Sequence, residues 1–277
     1  MSLVRGARAL ALGAFLFSIG CGEAAPGAFE LAESPAFELQ GGGPAGSGGI
    51  NGASPLAYHA NVMELLAALA VPAADPSDPS AVNPAIEATG LLDTSGGRQV
   101  FRYATRCALP AGTNLASGNK TYEGEGILRT TSTWLTTGLA TSAQEDVLTC
   151  IVAHLNPLGF PVPIFLSGPS VAGTENAGDL GFTVTEALWQ VRIPGPGQAP
   201  VYHAWPRVDL LSTCGLCTQL SWITRLCGTL LNTCGVSIRY DMASACTGKD
   251  GRFTCNGKPA IQTTLEAAAL CDLHLPL

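Results

Sequence analysis

Hydrophobic residues recur at helical spacing in two parts of the chain. The first set follows Ser54, a favourable N-cap residue, and comprises Tyr58, Val62, Leu65 and Leu69. Pro72 is expected to end this helix. The second set follows Ser142 and Glu145, whose spacing predicts a capping box, and comprises Val147, Leu148, Ile151 and Leu155. We therefore expect a helix after residue 54 and another that opens near residue 142 and ends at Asn156-Pro157.

Alternation of apolar and polar positions predicts strands elsewhere. Residues 100–107 place Phe101, Tyr103 and Cys107 on one face and Arg102 and Arg106 on the other. Residues 162–166 also form a short apolar run. Pro163 interrupts that run, which predicts an edge strand. Ala187, Trp189, Val191 and Ile193 alternate in the same way, and predict a further strand.

The C-terminal part differs in composition, because residues 214–271 hold seven cysteines in 58 residues. Such a density indicates a disulfide scaffold in an exported chain. Leu220, Ile223, Cys227 and Leu230 predict a helix, and Thr263 with Glu266 predicts the cap of a final one. The four prolines of residues 72–85 predict a loop.

These patterns predict an α+β fold, a mixed arrangement of short strands and several helices with a disulfide-rich C-terminal region. Residues 1–20 are expected to be a signal peptide and residues 21–54, rich in Gly, Pro and Ser, a flexible tether. An α+β region should cover residues 55–193. Pro194-Gly195-Pro196-Gly197 marks a soft boundary before a cysteine-rich region, residues 198–277, packed on the preceding one as a single domain.

The N-terminus predicts export. Arg5 and Arg8 precede the apolar run 9–19, which is too short to cross a bilayer. The run ends in Ser18-Ile19-Gly20-Cys21, which resembles a bacterial lipobox. Cys21 would then be acylated, and Gly22 rather than Asp after it favours the outer membrane of a Gram-negative-type envelope. Ordinary secretion, with cleavage after Ala24, remains the alternative.

Charge limits the partners. The whole chain has a net charge of −7, and removal of Arg5 and Arg8 leaves 12 basic against 21 acidic residues, a net charge of −9. This balance disfavours nucleic acid and anionic lipid as partners. No later segment is apolar enough to span a membrane, so membrane association would come from the lipid anchor.

Nine cysteines remain after Cys21 is lipidated or removed. An oxidising compartment should pair them, and the odd number leaves one thiol over. The pair we favour is Cys107 with Cys150, a bridge from the predicted strand to the second helix. Three local bridges are expected among the others, which are Cys214, Cys217, Cys227, Cys234, Cys246, Cys255 and Cys271.

Two other uses of these cysteines stay open. Cys214-Gly215-Leu216-Cys217 resembles a thiol–disulfide exchange motif, so a periplasmic oxidoreductase is an alternative. Cys150 and His154 lie one helical turn apart and, with Cys214 and Cys217, could bind a structural metal. We expect no metal and no other cofactor. Thr218 stands where a haem attachment motif needs histidine.

Signals of other catalysis are weak. The chain has no Gly-x-Ser-x-Gly elbow, no phosphate-binding loop and no His-Glu-x-x-His motif. His203 lies between Tyr202 and Trp205, where it could line a pocket, and an unrecognised hydrolase could use His203 or His154. Glu123 and Glu125 would share one face of a strand.

Three features together resemble a group of exported, cysteine-rich bacterial proteins, many of them predicted lipoproteins. They are Arg106-Cys107-Ala108-Leu109-Pro110-Ala111-Gly112, the Cys150 helix followed by Pro161-Val162-Pro163-Ile164, and Cys234-Gly235-Val236. The likeness covers roughly residues 90–271. It implies that Cys107 and Cys150 recur and that Cys217 is an addition, and hence the candidate free thiol. It implies export but no particular activity.

The sequence therefore predicts a lipid-anchored cell-envelope protein, leaning towards a non-enzymatic binding or structural module stapled by disulfides. Its expected contacts are the membrane, through the lipid, and an unidentified protein or other envelope partner.

Overall fold

The computed structural model describes residues 48–51, 53–156, 162–173, 177–206 and 235–266. Its helices are α1 (Pro55–Leu69), α2 (Pro84–Glu87), α3 (Ser95–Ala108), α4 (Thr141–Ala153) and α5 (Met242–Ala245). The N-terminal strands are β1 (Gly48–Asn51), β2 (Ala74–Asp75), β3 (Asp78–Val82), β4 (Asn114–Ser117) and β5 (Lys120–Glu123). The remaining strands are β6 (Val162–Ser167), β7 (Phe182–Arg192), β8 (Val201–Pro206), β9 (Ser237–Ile238), β10 (Cys246–Lys249), β11 (Arg252–Cys255) and β12 (Lys258–Glu266).

One large mixed sheet organises the fold. Its strand order is β1-β6-β12-β7-β8-β9, and the β10–β11 hairpin continues from β12. Neighbours are antiparallel except for β8 and β9, which run parallel. The α+β class predicted from the sequence is confirmed, and β12, the last strand in the described part of the chain, lies in the middle of the sheet.

Both faces of the central strands are covered. Ala187, Trp189 and Val191 of β7 face the helices and belong to the main hydrophobic core. Leu188 faces the other way and packs with Trp205 and Cys255 in a smaller cluster. A strand that is buried on both faces loses the strict alternation of a half-exposed strand, which explains why residues 186–191 of β7 are all buried.

Helices α1, α3 and α4 form the layer above the main face of the sheet. The Ser54 hydroxyl accepts a hydrogen bond from the Ala57 amide, as expected for an N-cap. Helix α1 ends at Leu69, before Pro72. Tyr58 and Leu65 are fully buried in the same core as Trp189. The first predicted helix is therefore confirmed.

A second, smaller sheet has the order β2-β3-β4-β5. Its first two strands lie in residues 72–85, so the prediction of a simple loop there is wrong. The prolines are tolerated because β2 and β3 are short and pair irregularly, with a register shift after Ala74.

Residues 100–107 form a helix and not the predicted strand. Thr94 caps α3 through a hydrogen bond from the Gly97 amide to its hydroxyl. The sequence also places Arg98, Arg102 and Arg106 four residues apart, on the less buried side of the helix. This four-residue period outweighed the alternation on which the strand prediction rested.

The two predicted capping boxes are wrong as well. Helix α4 starts at Thr141 after Ala140, without a side-chain cap, and Glu145 makes other contacts described below. Thr263 and Glu266 lie in strand β12, where the β-branched Thr263 is fully buried between neighbouring strands.

Three other expectations concern edges and boundaries. Strand β6 is not at an edge, because β1 pairs with it and places Ile50 opposite Pro163. Regular pairing thus begins within the segment predicted to be a tether, since β1 covers Gly48–Asn51. Pro194–Gly197 lies in the connection between β7 and β8, which are adjacent strands of one sheet.

Candidate functional site

The side chains of Cys107, Cys150 and His154 form a buried cluster between α3 and α4. Cys107 and Cys150 are joined by a disulfide with a Cα–Cα distance of 6.2 Å, the pair favoured from the sequence. The bridge links two helices, because the strand expected at Cys107 is part of α3. Both cysteines are fully buried and His154 is 1% exposed.

The end of α3 positions Cys107, and it coincides with the Arg106–Gly112 motif. The last carbonyls of a helix have no partner within it. Here a loop supplies the missing partners. The amides of Glu125, Leu128 and Gly126 donate hydrogen bonds to the carbonyl oxygens of Arg106, Cys107 and Leu109, respectively. The Thr131 hydroxyl donates to the Ala108 carbonyl.

Gly124 is required for this capping loop to approach the helix end. A Cβ at this position would lie 2.4 Å from the Pro110 carbonyl oxygen and 2.7 Å from the Leu109 Cβ. Pro110 itself prevents the helix from continuing. The motif therefore fixes a helix end, and through it the position of Cys107.

Helix α4 positions the other two members. Cys150 and His154 lie one turn apart on one face, as the sequence predicted. His154 Nδ1 lies 2.7 Å from the Cys150 carbonyl oxygen. A carbonyl oxygen only accepts, so Nδ1 carries the proton in this hydrogen bond.

Tyr103 completes the surroundings of His154, with the two ring centroids 5.4 Å apart. Burial raises the pKa of Tyr103, so its hydroxyl stays protonated at neutral pH. The Arg106 guanidinium lies over the Tyr103 ring at 5.4 Å and pairs with Glu125 at 2.7 Å. Glu125 lies beyond the end of β5, so it does not share a strand face with Glu123 and that prediction is wrong.

A second disulfide joins Cys246 and Cys255, which face each other in the β10–β11 hairpin. The prediction of disulfide bonding is thus confirmed for two bridges. Cys21, Cys214, Cys217, Cys227, Cys234 and Cys271 lie outside the described residues, and with them the lipidation site, the redox motif and the candidate free thiol.

Charged residues meet where α4 reaches the end of the large sheet. Glu145, with only 6% of its side chain exposed, accepts from Lys258 Nζ at 2.5 Å and from the Ile193 amide at 2.9 Å. Arg192 lies 3.6 Å from the same carboxylate. Glu145 therefore holds α4, β7 and β12 together, and its carboxylate is occupied by partners.

A small cavity lies beside this ion pair. Its volume is about 60 Å³, and its walls include Asp146, Thr149 and Pro259. That is the room of about two water molecules, whereas small-molecule pockets usually measure 300–1,000 Å³. Asp146 accepts from the hydroxyls of Thr130 and Ser170, and burial raises its pKa. The cavity suits water better than an organic ligand.

His203 lies on the opposite face of the sheet from Tyr202. Its ring centroid is 5.8 Å from that of the fully buried Trp205. Burial, with Arg239 and Arg192 nearby, lowers the pKa of His203, so the ring is neutral at neutral pH. It faces Gln190 across the β7–β8 pair. No serine, cysteine or carboxylate hydrogen bonds to His203 in the described part of the chain, so the geometry does not assemble a hydrolytic triad there.

Gln190 is a polar side chain that sequence reasoning did not single out. Its Nε2 lies 2.8, 3.1 and 3.2 Å from the carbonyl oxygens of Cys255, Lys258 and Pro259, respectively. It thus ties β7 to the turn between β11 and β12. The only sequence signal was a Gln within the apolar run 187–191 of a central strand.

The comparisons with known proteins add no family. Neither protein-family models nor curated proteins nor solved structures match this chain. Within the described ranges, no helix has both the length and the apolar character needed to cross a bilayer.

Proposed function

We propose that this protein is an exported, lipid-anchored envelope protein whose disulfide-stapled domain serves as a binding or structural module. The Cys107–Cys150 bridge is the observation that carries the proposal. It lies at the centre of the core, fully buried between two helices. Structural disulfides of this kind persist in oxidising compartments such as the periplasm or the cell surface.

The roles of the charged groups support a module that does not catalyse a reaction. Glu145 is occupied by Lys258, Arg192 and the Ile193 amide. Asp146 binds two hydroxyls. In each case the polar group joins separate elements of the fold and adjoins a cavity of about 60 Å³, which is small for an organic ligand.

The N-terminal sequence supports both export and attachment to a membrane through a lipid. Arg5, Arg8 and the apolar run 9–19 lead to Cys21, and acylation of that cysteine would hold the domain at the membrane. The partner is an unidentified protein or another envelope component, and the net charge of −9 disfavours nucleic acid.

Metabolic labelling with a radioactive or clickable palmitate tests the anchor in a Gram-negative host. The wild-type protein should be labelled, should fractionate with membranes and should shift in mass by the lipid. The Cys21→Ala variant should lose the label and retain the signal peptide. An unlabelled wild-type protein whose processing and location are unchanged by Cys21→Ala would refute the anchor.

Intact mass after alkylation, with and without prior reduction, tests the stapled domain. Export predicts that Cys107, Cys150, Cys246 and Cys255 are all protected from alkylation before reduction. Peptide mapping that finds Cys107 and Cys150 alkylated in protein taken from the envelope would refute the proposal.

A further inference from the structure

The Cys107–Cys150–His154 cluster contains the side chains that soft metal ions prefer. One ligand atom from each residue can be chosen so that all three lie within 4.8 Å of one another. All three residues are buried. Thiolates and imidazole bind copper(I) and zinc in proteins.

The protonation of His154 fits a ligand. Imidazoles that bind metals usually donate their other ring N–H to a carboxylate or a backbone carbonyl, which fixes the tautomer and the ring orientation. His154 Nδ1 donates to the Cys150 carbonyl in this way. The helical turn that brings Cys150 and His154 together therefore also orients the imidazole.

We propose that the reduced protein binds a copper(I) ion through Cys107 Sγ, Cys150 Sγ and His154. Zinc in structural sites almost always takes four ligands. In the described part of the chain, the candidate set ends at these three residues. Copper(I) accepts three ligands of this soft kind, so the cluster favours copper(I) over zinc.

The disulfide and the metal are alternatives at the same sulfurs. A thiol reductant supplies two electrons and two protons are taken up, so that the S–S bond breaks and two thiols form. Copper(I) then displaces the two thiol protons and binds both thiolates. This inference does not rest on the proposed export or lipid anchor.

Copper(I) titration of the reduced full chain in the absence of oxygen tests the inference, with a chromophoric copper(I) chelator as competitor. The variants His154→Gln and Cys107→Ser should each weaken the tightest site by at least about tenfold. The double variant Cys246→Ser/Cys255→Ser is the matched control. It removes the other described disulfide and should leave that site unchanged.

X-ray absorption at the copper edge adds a readout that loss of stability does not mimic. The wild-type protein with one equivalent of copper should show sulfur ligands and one imidazole nitrogen, and His154→Gln should lose the nitrogen. A wild-type spectrum with sulfur alone would overturn the inference, whatever the variants do. Identical isotherms for wild type and His154→Gln would also overturn it.

Discussion

Removal of the Cys107–Cys150 bridge should destabilise the protein more than removal of the Cys246–Cys255 bridge. The two disulfides close loops of very different length, with sequence separations of 43 and 9 residues. Chain entropy then assigns about 4 kcal/mol to the first bridge and about 2.6 kcal/mol to the second. The comparison uses the double variants Cys107→Ala/Cys150→Ala and Cys246→Ala/Cys255→Ala.

Burial increases this difference. Cys107 and Cys150 are both fully buried in the main core, whereas Cys246 is partly exposed. Replacing each buried sulfur by a hydrogen atom leaves a small cavity, which adds to the loss of chain constraint. We therefore expect the core variant to be less stable than the hairpin variant by at least about 1.4 kcal/mol.

Urea unfolding followed by tryptophan fluorescence measures both values, since Trp134, Trp189 and Trp205 are buried. Thermal unfolding of the core variant should shift by about 8–16 °C, at 2–4 °C per kcal/mol for a domain of this size. Equal losses for the two variants, or a larger loss for the hairpin variant, would refute the reasoning.

Three further variants test polar contacts. Gln190→Met should cost about 1–3 kcal/mol in urea unfolding, because it strips a buried donor from three carbonyls. Lys258→Met should cost about 1–3 kcal/mol in the same assay, because the buried negative charge of Glu145 then loses the ammonium group that balances it. Asp241→Asn should reduce stability at neutral pH but not near pH 2, because the hydrogen bonds from Arg239 and then Trp205 lower the pKa of Asp241 to about 2.

The controls and opposing results differ between these variants. Gln198 is exposed, so Gln198→Met should change stability by less than about 0.5 kcal/mol. A cost for Lys258→Met that vanished in the Glu145→Gln background would support the coupling of Lys258 and Glu145, and additive costs would contradict it.

The folded-state pKa of Asp241 lies below its unfolded value. The contribution of Asp241 to stability therefore exists above about pH 4 and is lost as the pH falls towards 2. A difference between wild type and Asp241→Asn that grew on acidification would contradict this sign.

The sequence predicted the elements whose local signals agree with their tertiary contacts. Helix α1 has a cap, an apolar stripe and a terminating proline that all point to one structure. The residues of α3 fit both the two-residue alternation of a strand and the four-residue spacing of a helix. Packing against α1 and α4 selected the helix. The capping pattern at Thr263 and Glu266 lost to sheet pairing, because β12 completes hydrogen bonds on two sides.

The candidate site was predictable in part. The spacing of Cys150 and His154 placed both on one helix face, and Cys107 was favoured as the partner of Cys150. The other two ligands of the metal site considered from the sequence, Cys214 and Cys217, lie outside the described residues. The contacts of Glu145 could not be foreseen, because Lys258 is 113 residues away along the chain and only the sheet topology brings it close.

The central place of β12 determines when this fold can form. Strand β6 pairs with residues 262–265 of β12, β7 pairs with residues 261–266, and β6 and β7 do not pair with each other. A nascent chain that lacks residues 258–266 therefore holds two half-sheets with no shared partner. Completion of the sheet must await β12, and such long-range pairing is slow to form. A ribosome-bound chain whose residues 258–266 are not yet available would thus keep these two groups of strands unpaired.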